Sequence, residues 1–324
     1  ASGISVEPGS AVRIMTGAPA PAGCNAIVPI EETEEKDGKL IITGPVKPGA
    51  HLRLQGEDVA QGELVISAGT ILRPAEINML ASFGYQSVPV IRRAKVAILS
   101  TGDELVEPGE DVGPGQIINS NDYSIAAAVS ELGGKPILLG IARDDRESLI
   151  AKLTAGLQAD ALITTAGVSM GDRDLVCEVL QVLEVKRQFW KVDIKPGRPT
   201  AFGLKGSTPV FSLPGNPVSS MVTFEEFVRP ALLKMMGHQH VIKPFIKAVM
   251  KEAIKKKPGR VQFLRVRIAK NGEQLLATSS GDQNTGILST LLRSNGIAVL
   301  PADREQIQAG EEVNIHLIAA IDDL

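Results

Sequence analysis

Hydrophobic and polar positions along this chain follow two different periods, and the changes of period mark its organisation. From residue 94 to about 236, short continuous apolar runs alternate with stretches of helical period. Val96-Ala97-Ile98-Leu99-Ser100 is the first such run, and further strands are expected at 136–141, 161–165, 189–194 and 210–213. Helices are expected at 121–132, 146–157, 174–183 and 217–236, the first of them closed by Gly133-Gly134. Strands alternating with helices predict a mostly parallel sheet with helices on both faces.

On either side the period shortens to two. Residues 1–60 read as a β-rich region, with strands at 26–30 and 40–43 around an acidic hairpin at 31–38. Residues 61–93 form a linker in which Pro74 opens a helix that Gly84 stops. From 244 to 318, short alternating runs at 262–268, 275–278, 296–300 and 312–317 predict a separate small β-barrel or sandwich. The expected division is 1–60, 61–93, 94–240 and 241–324.

Composition narrows the chemistry. A formal net charge of −3 over 324 residues provides no general attraction for nucleic acid, and 3% aromatic content leaves few bases a surface to stack on. Two cysteines are too few for a disulfide framework or a cysteine-type zinc site. The four histidines lack metal-ligand spacing, and the basic run 251–257 reads as a solvated face. No apolar run approaches a membrane span, and the first residues lack the order of a signal peptide, so a cytoplasmic location is expected.

Three glycine-marked turns between Leu162 and Ser220 carry the candidate chemistry. In Thr165-Ala166-Gly167-Val168-Ser169-Met170-Gly171-Asp172-Arg173-Asp174, two glycines let the backbone curl and Ser169 adds a hydroxyl. Asp172 and Asp174 then stand at a helix start, where either could simply cap. Two carboxylates in a phosphate-style loop are better explained by Mg²⁺ shared with substrate phosphate oxygens. Asp144 or Asp145, and Asp103 with Glu104, follow neighbouring strands and are expected at the same sheet edge.

Opposite charge comes from Lys191 and Lys195, expected on one face of a strand over 190–195. Arg198, in the turn Lys195-Pro196-Gly197-Arg198-Pro199, can fork onto an oxyanion. In Leu213-Pro214-Gly215-Asn216-Pro217-Val218-Ser219, Asn216 is expected to cap a helix whose start, with Gly215 and Ser219, receives a tetrahedral dianion. Neither a dinucleotide fingerprint nor a Walker loop is present.

These motifs, together with Arg13-Ile14-Met15-Thr16-Gly17-Ala18-Pro19, Gly56-Glu57-Asp58-Val59 and Ser100-Thr101-Gly102-Asp103-Glu104-Leu105, resemble in order and spacing the molybdopterin molybdenumtransferases, the MoeA/gephyrin E-domain family. The resemblance implies a central molybdopterin-binding α/β fold, a β-rich N-terminal domain and a small C-terminal β-barrel. It implies Mg²⁺-dependent insertion of molybdate into adenylylated molybdopterin with release of AMP, in a homodimer whose cleft forms between subunits. The adenylyltransferase of the same pathway is the candidate protein partner, and neither nucleic acid nor membrane is expected.

Carried over position by position, the family's functional acids match Asp58, Glu104, Asp144 and Asp174, of which Glu104, Asp144 and Asp174 are the metal candidates. The family's threonine matches Thr16, and its phosphate-binding lysines match Lys191 and Lys195. Arg198 and Ser219 are added from the residues themselves as molybdate contacts. Two departures stand out. The family's preceding segment, with a Met-Asp-Gly-Tyr-Ala motif, is not in this sequence, so a truncated chain is expected. Ala166 stands where the family commonly has glycine; either the loop is strained there or the strand runs one residue further. Two alternative readings are the sister molybdopterin adenylyltransferase activity and a gephyrin-like scaffold.

Overall fold

The computed structural model describes residues 3–167 and 175–321. It divides into two compact units, Ala1–Leu72 and Arg73–Leu324. In the first unit, strands β1 (Thr33–Lys36) and β2 (Lys39–Ile42) pair as an antiparallel hairpin. Its two-residue connection has φ of 50° at Asp37 and 69° at Gly38, the positive values that a primed hairpin turn requires. The strand expected at 26–30 does not form. Ile30–Glu32 is a 3₁₀ turn behind Pro29, and Ile27 donates its amide to the Ala50 carbonyl in a loop rather than to a ladder.

The second unit opens with α1 (Pro74–Ser82), with Pro74 in its first turn and Glu76 bonded back to the Arg73 amide. Next come β3 (Lys95–Thr101), β4 (Leu105–Val106), β5 (Ile117–Ile118), α2 (Asn121–Glu131), β6 (Lys135–Ala142) and α3 (Arg146–Gly156). The chain continues through β7 (Ala161–Thr165), α4 (Leu175–Val182), β8 (Lys186–Trp190), β9 (Ile194–Lys195), β10 (Ala201–Lys205) and β11 (Thr208–Leu213). The helical stretch α5 (Pro217–Thr223) passes through a π-turn, Phe224–Val228, into α6 (Arg229–Met235).

One six-stranded sheet runs β6-β3-β7-β11-β10-β8. Strands β6, β3, β7 and β11 are parallel, and β10 is antiparallel to both its neighbours. Alternation along β3 sends Val96 and Ile98 to one face, against Ile125, Phe224 and Leu232. Ala97 and Leu99 go to the other, against Leu149, Leu153 and Val179. Helices therefore cover both faces, as the strand–helix alternation predicts.

Two details differ from expectation. The β10–β11 hairpin adds an antiparallel strand that the alternation did not signal. The strands expected at 189–194 and 190–195 are also broken. β8 ends at Trp190, Lys191 turns with φ of 68°, and Ile194–Lys195 joins a different sheet. Lys191 and Lys195 therefore do not share a strand face.

The last part of the unit contains β12 (Ile246–Met250), β13 (Ile254–Lys255), β14 (Val261–Asn271), β15 (Gln274–Ser279) and α7 (Ser289–Leu292). β16 (Gly296–Leu300), β17 (Gln306–Ile307) and β18 (Glu312–Leu317) complete it. The order β15-β12-β18-β16-β14 is closed by pairing of β14 with β15, which makes a five-stranded barrel. Leu264, Val266 and Ile268 point into it.

On the outer side of β14, β9 pairs in parallel, and Ile194, Val222, Phe263 and Ile297 form one buried cluster that joins barrel to sheet. His316 of β18 and Glu226 of the π-turn add a 2.9 Å contact across the same join. The run 251–257 is not wholly solvated. Lys256 is buried, and its Nζ donates to the carbonyls of Pro301 and Arg304 at 2.8 and 2.9 Å. Among the described residues no helix is long and apolar enough to cross a membrane.

Candidate functional site at the carboxyl edge of the sheet

Because β3, β6, β7 and β11 are parallel, the loops after them emerge along one edge of the sheet. The loops after β3 and β6 are tied together. The Gly102 amide donates to the Ala142 carbonyl at 3.1 Å, and the Asp144 amide donates to Asp103 Oδ1 at 3.1 Å. Arg143 Nη1 donates to the carbonyls of Asp103 and Leu105, so the acidic loop is held from both sides. Glu104 folds back over Gly102, whose φ is 141°; a side chain there would meet the Glu104 carboxylate.

The structure separates two neighbouring acids. Asp145 caps α3, its Oδ1 accepting from the Ser148 amide at 2.7 Å. The Asp144 carboxylate is exposed and has no hydrogen-bond or ion-pair partner among the described residues. Of this pair, Asp144 is the one whose carboxylate is unengaged among the described residues. Ser169, Asp172 and Asp174 lie outside the described residues. Among the described residues no three acidic, histidine or cysteine side chains gather as a metal-ligand cluster.

Beneath these loops lies a polar network that the sequence pattern did not reveal. Ser100 Oγ donates to Asp122 Oδ1 at 2.6 Å and lies 2.7 Å from Thr165 Oγ1, while Asn119 Nδ2 donates to Asp122 Oδ2 at 3.0 Å. All four side chains are buried. Burial pushes the Asp122 carboxyl above its ordinary value of 3.8, against the bonds from Ser100 and Asn119 that favour the charged form. Beside it, Asn121 Nδ2 donates to the Gly215 carbonyl at 2.8 Å. The start of α2 thus braces the loops after β3, β7 and β11 together.

The basic side is built where sheet and barrel meet. A cavity of about 230 Å³ is lined by Lys195, Arg198, Asn216, Ser219, Arg260, Arg265, Thr285 and uncharged neighbours, with no acidic side chain among the described residues of its wall. Gly197 in that wall has φ of 103° and abuts Thr223, leaving no room for a side chain. Asn216 holds the cap position of α5 without making the side-chain cap bond expected of it, and it lines the cavity. Lys191 is not part of this wall.

Arg265 is the group that sequence reasoning missed. It is fully buried on β14; Nε donates to Thr290 Oγ1 at 2.8 Å, and Nη2 reaches the carbonyls of Asp282 and Asn284. Nη1 is buried without a partner among the described residues. Burial draws the guanidinium below its ordinary pKa, with Asp282 opposing the shift. An unpartnered buried donor on a cation favours an anionic ligand at that point. The available signal was an arginine interrupting the apolar run Val261-Gln262-Phe263-Leu264-Arg265-Val266. Thr16 and Asp58 belong to the first unit, where both are exposed; Thr16 sits in the turn closed by the Ala18 amide on the Met15 carbonyl.

Residues 1–84 match the family model described as the MoeA N-terminal region (domain I and II). Residues 97–234 match a probable molybdopterin binding domain, and 247–318 the MoeA C-terminal region (domain IV). A protein of Haemophilus influenzae named molybdopterin molybdenumtransferase is 39% identical over 310 residues, covering 94% of this chain and 76% of its own. One of Mycobacterium tuberculosis, molybdopterin molybdenumtransferase 2, is 36% identical over 318 residues, covering 96% and 78%. The crystal structure of a molybdopterin biosynthesis MoeA protein from Pyrococcus horikosii aligns with a TM-score of 0.81 at 32% identity, over 98% of this chain and 78% of that one. These likenesses extend over nearly the whole sequence, and the chain belongs to the MoeA family of molybdopterin molybdenumtransferases.

Proposed function

We propose that this protein inserts molybdate into adenylylated molybdopterin with the help of Mg²⁺, releasing AMP. The observation that carries this reading is a cavity lined by Lys195, Arg198, Arg260 and Arg265, with no acidic side chain among the described residues of its wall, on the same unit as the exposed carboxylates of Glu104 and Asp144. Four cations around a cavity of about 230 Å³ suit a small tetrahedral dianion. Arg265 lines that cavity, and its Nη1, without a partner among the described residues, would donate to a molybdate oxygen. Ser219 and Thr285 supply hydroxyl groups, which fix the anion's orientation.

The donor set at the loops suits Mg²⁺. Asp144 and Glu104 are exposed hard oxygen donors on tethered neighbouring loops, and Mg²⁺ is commonly held by one or two carboxylates plus substrate phosphate oxygens. Glu104, Asp144 and Asp174 would hold the ion, which supplies Lewis-acid polarisation of the phosphoanhydride when bound. Lys191 and Lys195 neutralise the phosphates, and the bracing of the loops by Asn121 and Asp122 limits their movement. Water attacks the phosphoanhydride and AMP leaves, while the dithiolene sulfurs give up their protons and displace one oxygen of the waiting molybdate as water. Homodimerisation belongs to the same reading and is checked by light scattering.

Single-turnover release of AMP from adenylylated molybdopterin tests the assignment. Glu104→Gln and Asp144→Asn are each expected to slow release at saturating molybdate. Unchanged release in both variants, with Mg²⁺ present, would remove the carboxylates from the chemistry.

A further inference from the structure

Trp190, the single tryptophan of the chain, closes β8 at the edge of the central sheet. The residue is 39% exposed, yet two cations lie over its ring: Lys191 Nζ is 3.9 Å from the ring centroid and the Arg187 guanidinium carbon 5.7 Å. The 3.9 Å contact lies well within the distance over which a ring quadrupole attracts an ammonium. Lys191 also has φ of 68°, a backbone region that side chains other than glycine's rarely occupy, and its amide is held by the Thr200 carbonyl at 3.0 Å. Its ammonium has no carboxylate partner among the described residues.

β8 runs parallel to β11, because both are antiparallel to β10, so Trp190 and Lys191 stand at the same sheet edge as the acidic loops. A flexible lysine loses rotamer freedom when it binds a phosphate, and one already resting on a ring loses less. We propose that Trp190 is a positioning residue for phosphate recognition: its ring holds the Lys191 ammonium in place, and the open side of that ammonium receives a substrate phosphate. The proposal rests on the reading of Lys191 as a phosphate ligand. The turned backbone at Lys191 is what lets consecutive residues meet, since neighbours in a regular strand point to opposite faces.

AMP, adenosine and inorganic phosphate serve as probes, with calorimetry and the emission of the single tryptophan as readouts on the folded chain. AMP and phosphate are expected to change the emission saturably, since each neutralises a cation on the ring; adenosine is expected to leave it unchanged. Trp190→Leu should weaken AMP binding about two- to fivefold, the range of an exposed cation–π contact, and Trp190→Tyr should restore most of the loss. In the double variant Trp190→Leu/Lys191→Ala, affinity should match Lys191→Ala alone, because the ring acts only through the amine. Circular dichroism of each variant separates lost binding from lost fold.

An emission change with adenosine equal to that with AMP would overturn the proposal, since the ring would then be stacking the heterocycle itself. Trp190→Leu binding AMP like the parent while Lys191→Ala does not would overturn it alone. Lys191→Ala binding AMP like the parent would instead overturn the underlying reading of Lys191.

Discussion

Lys195 stands opposite Gln262 in the two-residue parallel ladder that joins β9 to β14. A cation from the turn after the central sheet is thereby fixed as a strand residue on the outside of the barrel. Ile194, one residue earlier, is buried with Phe263 and Ile297, so the ladder is anchored by apolar contact as well as by hydrogen bonds. Arg265, three residues along β14 from Gln262, faces the same cavity as Lys195. The basic half of the site is therefore a property of the join and of neither fold element alone.

Removing the buried guanidinium should weaken binding. Through the lost bonds to Thr290 and the Asp282 and Asn284 carbonyls it should also lower stability, so a control that changes stability alone is needed. Arg265→Gln is expected to weaken molybdate binding by about tenfold or more, the scale of a hydrogen bond to a charged group. Lys256→Met is the control. It leaves the carbonyls of Pro301 and Arg304 without their donor and should lower stability by about 1–3 kcal/mol, with molybdate affinity unchanged. Calorimetric titration and urea unfolding measure the two effects.

Asp144 and Asp145 are adjacent in sequence but should fail in different assays. Asp145→Ala removes the cap on the Ser148 amide and should cost about 1 kcal/mol of stability. Asp144→Asn alters an exposed, unpartnered side chain, so stability should stay within about 0.5 kcal/mol while AMP release falls. Equal losses of stability in the two variants would contradict the division of roles.

Ala166 has φ of 67° at the end of β7, which settles the choice between a strained loop and a longer strand in favour of strain. A non-glycine residue there costs on the order of 1 kcal/mol, offset in part by the greater chain entropy of glycine. Ala166→Gly should therefore raise stability by up to about 1 kcal/mol, and Ala166→Val should lower it. Chemical unfolding of the three proteins gives the order.

The buried Asp122 carries a pH signature. Its carboxyl is raised above 3.8 in the folded protein, so the folded state keeps this proton at pH values where the unfolded chain has lost it. Stability from this group is undiminished below 3.8 and declines as pH rises through the folded value. Asp122→Asn lacks that titration. Its destabilisation relative to the parent should be largest in acid and shrink as pH rises, which urea unfolding across a pH series would show. A difference that grows with pH would contradict the sign.

Much of the scaffold was legible in the chain because apolar period depends on local geometry. β7 lies at residues 161–165 as expected, and the two faces of β3 follow from strict alternation. Where the reading failed, the cause was non-local or a single backbone torsion. The run 189–195 looks like one strand, but a left-handed turn at Lys191 sends its two ends to different sheets. The apolar stretch 26–30 looks like a strand, but it has no neighbour to complete a ladder, and only a 3₁₀ turn forms at its end.

The sequence by itself determined the alternation of strands and helices, the motifs that carry acids and bases, and the family they resemble. It could do so because periodicity and motif order are properties of neighbouring residues. Tertiary structure alone decided which groups meet. It made Asp145 a cap and left Asp144 free, buried Asp122 under the loops, and placed Arg265 from the barrel across from Lys195. Burial, desolvation and an unpartnered donor depend on what packs around a side chain, and residues distant in sequence supply that packing.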